Sequence, residues 1–313
     1  MTTQVFIDGA AGTTGLEIAE RLAGRPEFAL ITLDEARRKD DAARGEAINA
    51  ADVVILCLPD DAARAAVAMI GNDTTRVIDA STAHRVADGW TYGLPEVVGR
   101  DAVANARRVA NPGCYPTGFI ALLAPLVRAG LLPADWPYVV HAVSGYSGGG
   151  KALIARFEDD TDIAWRGYGL AFGHKHVPEM TAYAGLSVAP LFSPAVVPAL
   201  RGMVVEVPLS LEAMRRTFSG TGSAQAMFDA LAAFYAGSPI VSVTQGAPEE
   251  GEFLMRRSAQ AWDGLALSVI GSKDGTQARL VARLDNLGKG ASGAAVQTLN
   301  LMAGLPETAG LSL

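Results

Sequence analysis

The chain has 313 residues, long enough for two lobes around a substantial core rather than one average domain. Half of its residues are hydrophobic and 19% are charged, a globular composition that excludes a disordered or low-complexity chain. A net charge of −7 argues against a nucleic-acid or membrane-surface partner, because nothing would be gained by displacing counterions from phosphates.

The chain does not open on a charged segment followed by an apolar stretch. Its longest apolar runs, such as residues 119–127, fall far short of the ~20 residues that cross a bilayer. A cytoplasmic location is expected. In that setting Cys57 and Cys114, too few for a disulfide framework, must be explained one at a time, and no Cys and His spacing suits a structural metal.

Residues 4–8 read as a strand, followed by a helix over 14–23 and a second strand at 28–33. Strands at 52–58 and 76–79, with a helix over 60–70 between them, continue the series. Alternation of this kind predicts right-handed βαβ units and an α/β fold, a Rossmann-type doubly wound parallel sheet.

The first βα junction carries Gly9-Ala10-Ala11-Gly12-Thr13-Thr14-Gly15, in the GxxGxxG spacing. Glycines between a strand and a helix let the backbone approach a pyrophosphate, and the N–H groups of the helix start, Thr13 and Thr14 among them, then face the anion. A glycine-rich turn without a ligand is the plainer alternative. After the second strand, Asp34-Glu35-Ala36-Arg37-Arg38-Lys39 gives opposite signals. An acidic side chain there favours a free ribose 2′-hydroxyl, whereas Arg37 and Arg38 suit a 2′-phosphate and hence NADP.

Cys57, inside Val53-Val54-Ile55-Leu56-Cys57-Leu58, fits a small buried hydrophobe. Cys114 does not. A short strand at 108–110 leads into Asn111-Pro112-Gly113-Cys114-Tyr115-Pro116-Thr117-Gly118, and helical spacing from Phe119 to Val127 starts a buried helix close to the cysteine. At a helix N-terminus the dipole and the unpaired N–H groups lower a thiol below its free pKa of ~8.5, which suits a nucleophile.

From residue 138 the pattern changes to longer strand-like runs at 138–143, 196–209, 265–270 and 278–284, with helices near 178–184 and 223–236. This predicts a second, α+β domain with a mixed or antiparallel sheet. An amphipathic helix over 291–302 closes the chain and is suited to returning to the first domain. The expected division is 1–113 plus 290–313 for dinucleotide binding, and 114–289 for catalysis and oligomerisation. The second domain's sheet offers a pairing face, and a homo-oligomer, dimer or tetramer, is expected.

His174 and His176 stand in Gly173-His174-Lys175-His176-Val177-Pro178-Glu179, read as the end of a strand before a helix started by Pro178. Residues two apart on a strand share a face. Either imidazole suits proton transfer to an oxyanion or assistance to a thiol; a surface H-x-H pair is the plainer reading. His84 and His141 have no comparable context. Lys151, after Ser147-Gly148-Gly149-Gly150, reads as a loop cation that could wrap an anion.

Taken together, Gly9 to Gly15, Asp79-Ala80-Ser81-Thr82-Ala83-His84-Arg85, Tyr92-Gly93-Leu94-Pro95-Glu96, Asn111 to Gly118, Gly173 to Glu179 and Asp285-Asn286-Leu287-Gly288-Lys289-Gly290-Ala291 resemble the N-acetyl-γ-glutamyl-phosphate reductases, in their shorter bacterial form, nearly end to end. The longer form usually reads Ser-Ala-Asp-Phe-Arg where this chain has Ser81-Thr82-Ala83-His84-Arg85, so Ser81 and Arg85 are carried over and His84 is left open. The resemblance implies reduction of N-acetyl-glutamyl 5-phosphate by NADPH in arginine biosynthesis, through a thioester on Cys114.

Such a substrate carries a carboxylate and a phosphate, for which Arg85, Lys151 and Lys175 are the candidate cations. The resemblance also suggests that Asn286 and Lys289 meet the nicotinamide end of the cofactor. The nearest alternative is an enzyme similar to aspartate-semialdehyde dehydrogenase, although the Tyr92 to Glu96 run is foreign to that family. A phosphate-independent aldehyde dehydrogenase and a non-catalytic dinucleotide-binding module are the others.

Overall fold

The computed structural model describes residues 2–313. The chain forms two compact units, one holding the residues up to Gly113 together with Ala291–Leu311, the other Cys114–Gly290 with Ser312–Leu313. Among the described residues, no helix is long and apolar enough to cross a membrane.

The first unit is built on six parallel strands, β1 (Thr3–Asp8), β2 (Phe28–Ile31), β3 (Val53–Leu56), β4 (Arg76–Asp79), β5 (Thr91–Tyr92) and β6 (Arg108–Ala110), in the order β2-β1-β3-β4-β6-β5. Because side chains alternate across a strand, each face of this sheet builds its own core. Val5, Ile7, Ile55 and Ile78 meet Ile18 and Leu22 on one face, where Val296 and Leu299 of the helix Gly293–Met302 join them. Phe6, Val54, Leu56 and Val77 meet Ile48, Ala63 and Ala66 on the other.

A helix that the sequence pattern did not suggest, Asp41–Ala50, supplies Ile48. It buries little besides Ala43, Ala47 and Ile48, so its apolar periodicity is weak. The Asp40 side chain starts it by accepting from the Ala43 N–H at 2.8 Å.

The second unit carries a mixed seven-stranded sheet of β7 (Val139–Gly145), β8 (Arg166–Gly167), β9 (Leu191–Val197), β10 (Met203–Ser210), β11 (Val241–Gln245), β12 (Leu265–Gly271) and β13 (Gln277–Leu284), ordered β11-β12-β13-β10-β7-β9-β8. Pairings β7–β9 and β11–β12 are parallel and the others antiparallel. The single strand expected over 196–209 is two. Pro198 has no N–H for a ladder, and Gly202, at φ +107°, turns the chain before β10 begins.

Across β10 and β13 lies the helix Cys114–Arg128, brought close because Gly118 has no side chain: a Cβ there would stand 3.0 Å from the Cβ of Ala282 and 3.1 Å from Val205 Cγ2. Inside this helix Pro125 leaves the carbonyl of Ala121 without its i+4 donor. The Tyr235 hydroxyl donates to that carbonyl at 2.8 Å.

Candidate active site

In the first unit the three loop glycines have different reasons to be bare. Gly9 sits at φ +90°, and a Cβ on it would lie 2.3 Å from the carbonyl oxygen of Cys57; one on Gly15 would lie 2.5 Å from the Gly9 oxygen. Gly12 is under no such constraint, its nearest neighbour being the Gly9 oxygen at 3.4 Å. The protein's own packing therefore demands Gly9 and Gly15 but leaves open the approach at Gly12, where a diphosphate would meet the helix Thr13–Leu22. No side chain caps the first turn of that helix. The residues present fit a dinucleotide.

Beside the loop opens a cavity of about 680 Å³, lined among others by Gly9, Ala10, Leu33, Glu35, Arg38 and Lys39. Arg37 is not in its lining; Nη2 of Arg37 bonds Glu46 at 3.2 Å instead. The acidic signal resolves in a similar way. Asp34 is spent on the turn, accepting from the Arg37 N–H at 2.9 Å, and Glu35 takes Arg38 at 2.7 Å. Arg44, from the unforeseen helix, also lines the cavity and is bonded to Asp8 at 2.9 Å, which raises its already high pKa.

At the carboxyl end of β4, Asp79 organises the following loop. Its carboxylate accepts from the N–H and the hydroxyl of Ser81, at 2.9 and 2.7 Å, and stands 2.6 Å from Nδ1 of His84. The His84 ring stacks on Trp90 at 4.1 Å. Arg85 is buried, its plane fixed by donation from Nε to the Asn111 carbonyl at 3.1 Å and from Nη2 to Ala80 at 3.2 Å. Thus Ser81 and Arg85 belong to one loop, with the Ser81 hydroxyl engaged inside it.

In the second unit Cys114 is the first residue of its 15-residue helix, and no acidic side chain occupies the first turn. Gly290 backs it: a Cβ on that glycine would stand 2.8 Å from the Cβ of Cys114. Next to the cysteine, the Tyr115 ring meets His176 at 5.9 Å and His174 at 6.3 Å, and the two imidazole rings are 4.7 Å apart.

The histidines do not end a strand, as the sequence suggested. They lie in a turn in which the His176 N–H donates to Nδ1 of His174 at 3.1 Å, with His176 leading into the helix Val177–Ala184. Gly169 and Phe172, both at positive φ, break the backbone just before them.

Tyr115 stands beside Cys114 in the marked segment, but nothing in the sequence points to its partnership with Tyr168, 53 residues later. The Tyr168 hydroxyl donates to that of Tyr115 at 3.3 Å, and Tyr115 donates to the Ala195 carbonyl at 3.1 Å. Burial pushes the Tyr168 phenol up to about 12 and that of Tyr115 higher still, so both remain neutral donors around His174.

The other candidates are more dispersed. Lys151 is not in a flexible loop but in the first turn of the helix Gly150–Asp159, and it is exposed, as is Lys175. Asn286 is buried and already committed on both sides of its amide, donating to Ser147 Oγ at 2.8 Å and accepting from the Gly202 N–H at 3.0 Å. Lys289 is buried as well.

Two family models divide the chain. One described as "Semialdehyde dehydrogenase, NAD binding domain" matches residues 4–106, and one described as "Semialdehyde dehydrogenase, dimerisation domain" matches residues 114–286. The chain is 46% identical to N-acetyl-gamma-glutamyl-phosphate reductase 2 of Nostoc sp., covering 98% of this chain and 99% of that protein. It is 50% identical to the N-acetyl-gamma-glutamyl-phosphate reductase of Burkholderia ambifaria, covering 96% of each. The chain belongs to the N-acetyl-γ-glutamyl-phosphate reductase family.

As a member of that reductase family it is an oxidoreductase, and its first unit carries the nicotinamide-dinucleotide-binding domain. The fold of this reductase family member is shared with aspartate semialdehyde dehydrogenase II of Vibrio cholerae, at a TM-score of 0.67, 18% identity and coverage of 96% of this chain and 98% of that one. The Candida albicans aspartate semialdehyde dehydrogenase, solved with NADP, gives 0.66 at 15% identity, covering 97% and 99%. At these identities the likeness is one of fold.

Proposed function

We propose that the chain reduces N-acetyl-L-glutamyl 5-phosphate to N-acetyl-L-glutamate 5-semialdehyde and phosphate, with NADPH as reductant, in arginine biosynthesis. The observation that carries this reading is Cys114 as the opening residue of a long helix, free of acidic neighbours in its first turn. Relatives bearing this reductase name at 46% and 50% identity support the choice of substrate.

In this mechanism Sγ of Cys114, as thiolate, attacks the acyl carbon, the C–O bond to phosphate breaks and a thioester forms on the enzyme. The bound nicotinamide supplies the hydride that this thioester accepts. One of His174 and His176 protonates the resulting oxyanion and takes the proton back as the C–S bond breaks, releasing the aldehyde and the thiolate. Tyr115 and Tyr168, neutral and hydrogen-bonded in series, hold the imidazoles in place.

Arg85, with Ser81, and the cations Lys151 and Lys175 are proposed to receive the substrate's phosphate and carboxylate. Gly9, Gly12, Thr13, Thr14 and Gly15 hold the cofactor diphosphate and Arg38 the ribose 2′-phosphate, a role Arg37 joins only by leaving Glu46, while Lys289 and the second N–H of the Asn286 amide meet the nicotinamide end. Residues 1–113 with 290–313 are thereby the cofactor domain. Residues 114–289 hold the nucleophile and pair subunits into a dimer or tetramer, as the name of the matching dimerisation model supports.

The test is to mix the protein with the acyl phosphate without NADPH and measure intact and peptide masses. An N-acetylglutamyl adduct on Cys114, with stoichiometric phosphate release, is expected. An unmodified Cys114, or aldehyde oxidation in reverse that needs no phosphate, would overturn the mechanism.

A further inference from the structure

Arg44 lies outside the glycine-loop motif, yet it lines the cavity beside that loop. Its Nε approaches both carboxylate oxygens of Asp8, at 3.3 and 3.2 Å, Nη2 bonds Oδ2 at 2.9 Å, and Nη1 reaches Asp41 at 2.9 Å. Asp8 is the last residue of β1 and directly precedes Gly9, and its side chain is only 5% exposed. A buried carboxylate therefore stands at the entrance of the loop that receives a diphosphate. Like charges in a poorly solvated site repel strongly, so an uncompensated Asp8 would oppose the ligand.

The other cations of the cavity are of a different kind. Arg38 is paired with Glu35, a partner that is 88% exposed, and such a pair is readily exchanged for a ligand. Arg44 cannot be exchanged in this way, because releasing it would leave Asp8 buried and unpaired. Its service to the site is to cancel a charge, from a fixed position.

We propose that Arg44 is a positioning residue of the cofactor site, which makes the glycine loop receptive to a dinucleotide diphosphate by neutralising Asp8. This rests on the reading that the cavity takes a nicotinamide dinucleotide. It predicts that the two partners have opposite effects on binding, although they are bonded to each other. Removing the cation weakens the cofactor. Removing the carboxylate tightens it.

The experiment titrates the full-length protein, without substrate, with NADPH and separately with NADH, following nicotinamide fluorescence. Arg44→Gln is expected to raise the dissociation constant roughly tenfold or more, and Asp8→Asn to lower it about threefold. The double variant, in which both charges are gone, is expected to bind as the parent does, so that Arg44→Gln costs only about threefold in the Asp8→Asn background against roughly tenfold or more alone. Both dinucleotides are expected to shift together because the diphosphate is common to them.

Several results would overturn the proposal: an Arg44→Gln protein that binds as the parent does, an equal loss from Arg44→Gln in the Asp8→Asn background, or a shift confined to NADPH, which would make Arg44 a 2′-phosphate ligand. If Arg44→Gln does not fold, the sign of the Asp8→Asn effect decides, since weaker or unchanged binding there contradicts the proposal. A parent protein that binds neither dinucleotide would overturn the cofactor reading as well.

Discussion

The two cysteines occupy similar stations in the chain and have opposite chemistry. Cys57 directly follows β3, Cys114 follows β6 after the tripeptide turn Asn111-Pro112-Gly113, and each is backed by a glycine whose Cβ would crowd it. Around Cys57, burial and then the carboxylates of Asp79 and Asp8 push the thiol up to about 12, and the next helix begins with Asp60 and Asp61. Cys114 instead is itself the first residue of a helix whose opening turn holds no acid. The difference teaches that the position along the strand matters less than what the following three residues do. Asn111-Pro112-Gly113 carries the chain to the helix start before the cysteine is reached.

The strongest way to break this comparison is to remove each thiol. Cys114→Ala is expected to lower kcat by roughly 10³-fold or more, whereas Cys57→Ala keeps activity within about twofold and costs ~1 kcal/mol in urea unfolding. Steady-state assays with matched denaturation curves decide it.

Alkylation sharpens the same contrast. At a pH of about 8, a thiol with a pKa of about 12 is thiolate in roughly one molecule in 10⁴. Iodoacetamide, followed by peptide mass mapping, is expected to label Cys114 at least about 100-fold faster than Cys57. Equal rates would remove the distinction.

The backing glycines give an intermediate effect. Gly290→Ala pushes on the side chain of Cys114, so kcat is expected to fall about tenfold or more with the fold retained. Gly9→Ala pushes instead on the backbone of Cys57 at a positive φ, and a loss of roughly 3 kcal/mol in stability is expected. A Gly290→Ala protein with unchanged kcat would mean that the cysteine does not need that space.

The smallest effect is a slope with pH. Because the Cys57 thiol is raised in the folded state, its contribution to stability is fully present below the unfolded thiol pKa of ~8.5 and is lost as pH rises towards about 12. Chemical denaturation at increasing pH is expected to show a decline that is shallower in Cys57→Ala.

Much of the fold was legible because its signals are local. The β3 run, buried on both faces, and the turn residues ahead of Cys114 mark their elements directly. What escaped depended on partners distant in sequence or on weak patterns. The helix Asp41–Ala50 hides behind alanines, and Arg44 becomes part of a cavity only by meeting Asp8, 36 residues away. The break at Pro198 and Gly202 was visible as residue types but masked by the apolar run on either side. At the site, the spacing of His174 and His176 suggested proximity, while the turn that produces it, and the Tyr115–Tyr168 relay behind it, needed the folded chain.

Pro125 and Tyr235 carry a consequence for how this sequence can drift. The proline removes a donor from the Cys114 helix, and a phenol 110 residues later replaces it. Each change alone is unequal in effect. Losing the tyrosine first strands a buried carbonyl, whereas replacing the proline first makes the tyrosine dispensable. Descendants should therefore pass through an ordinary residue at position 125 before position 235 is released, a one-way order of substitution that reconstructed intermediates would reveal.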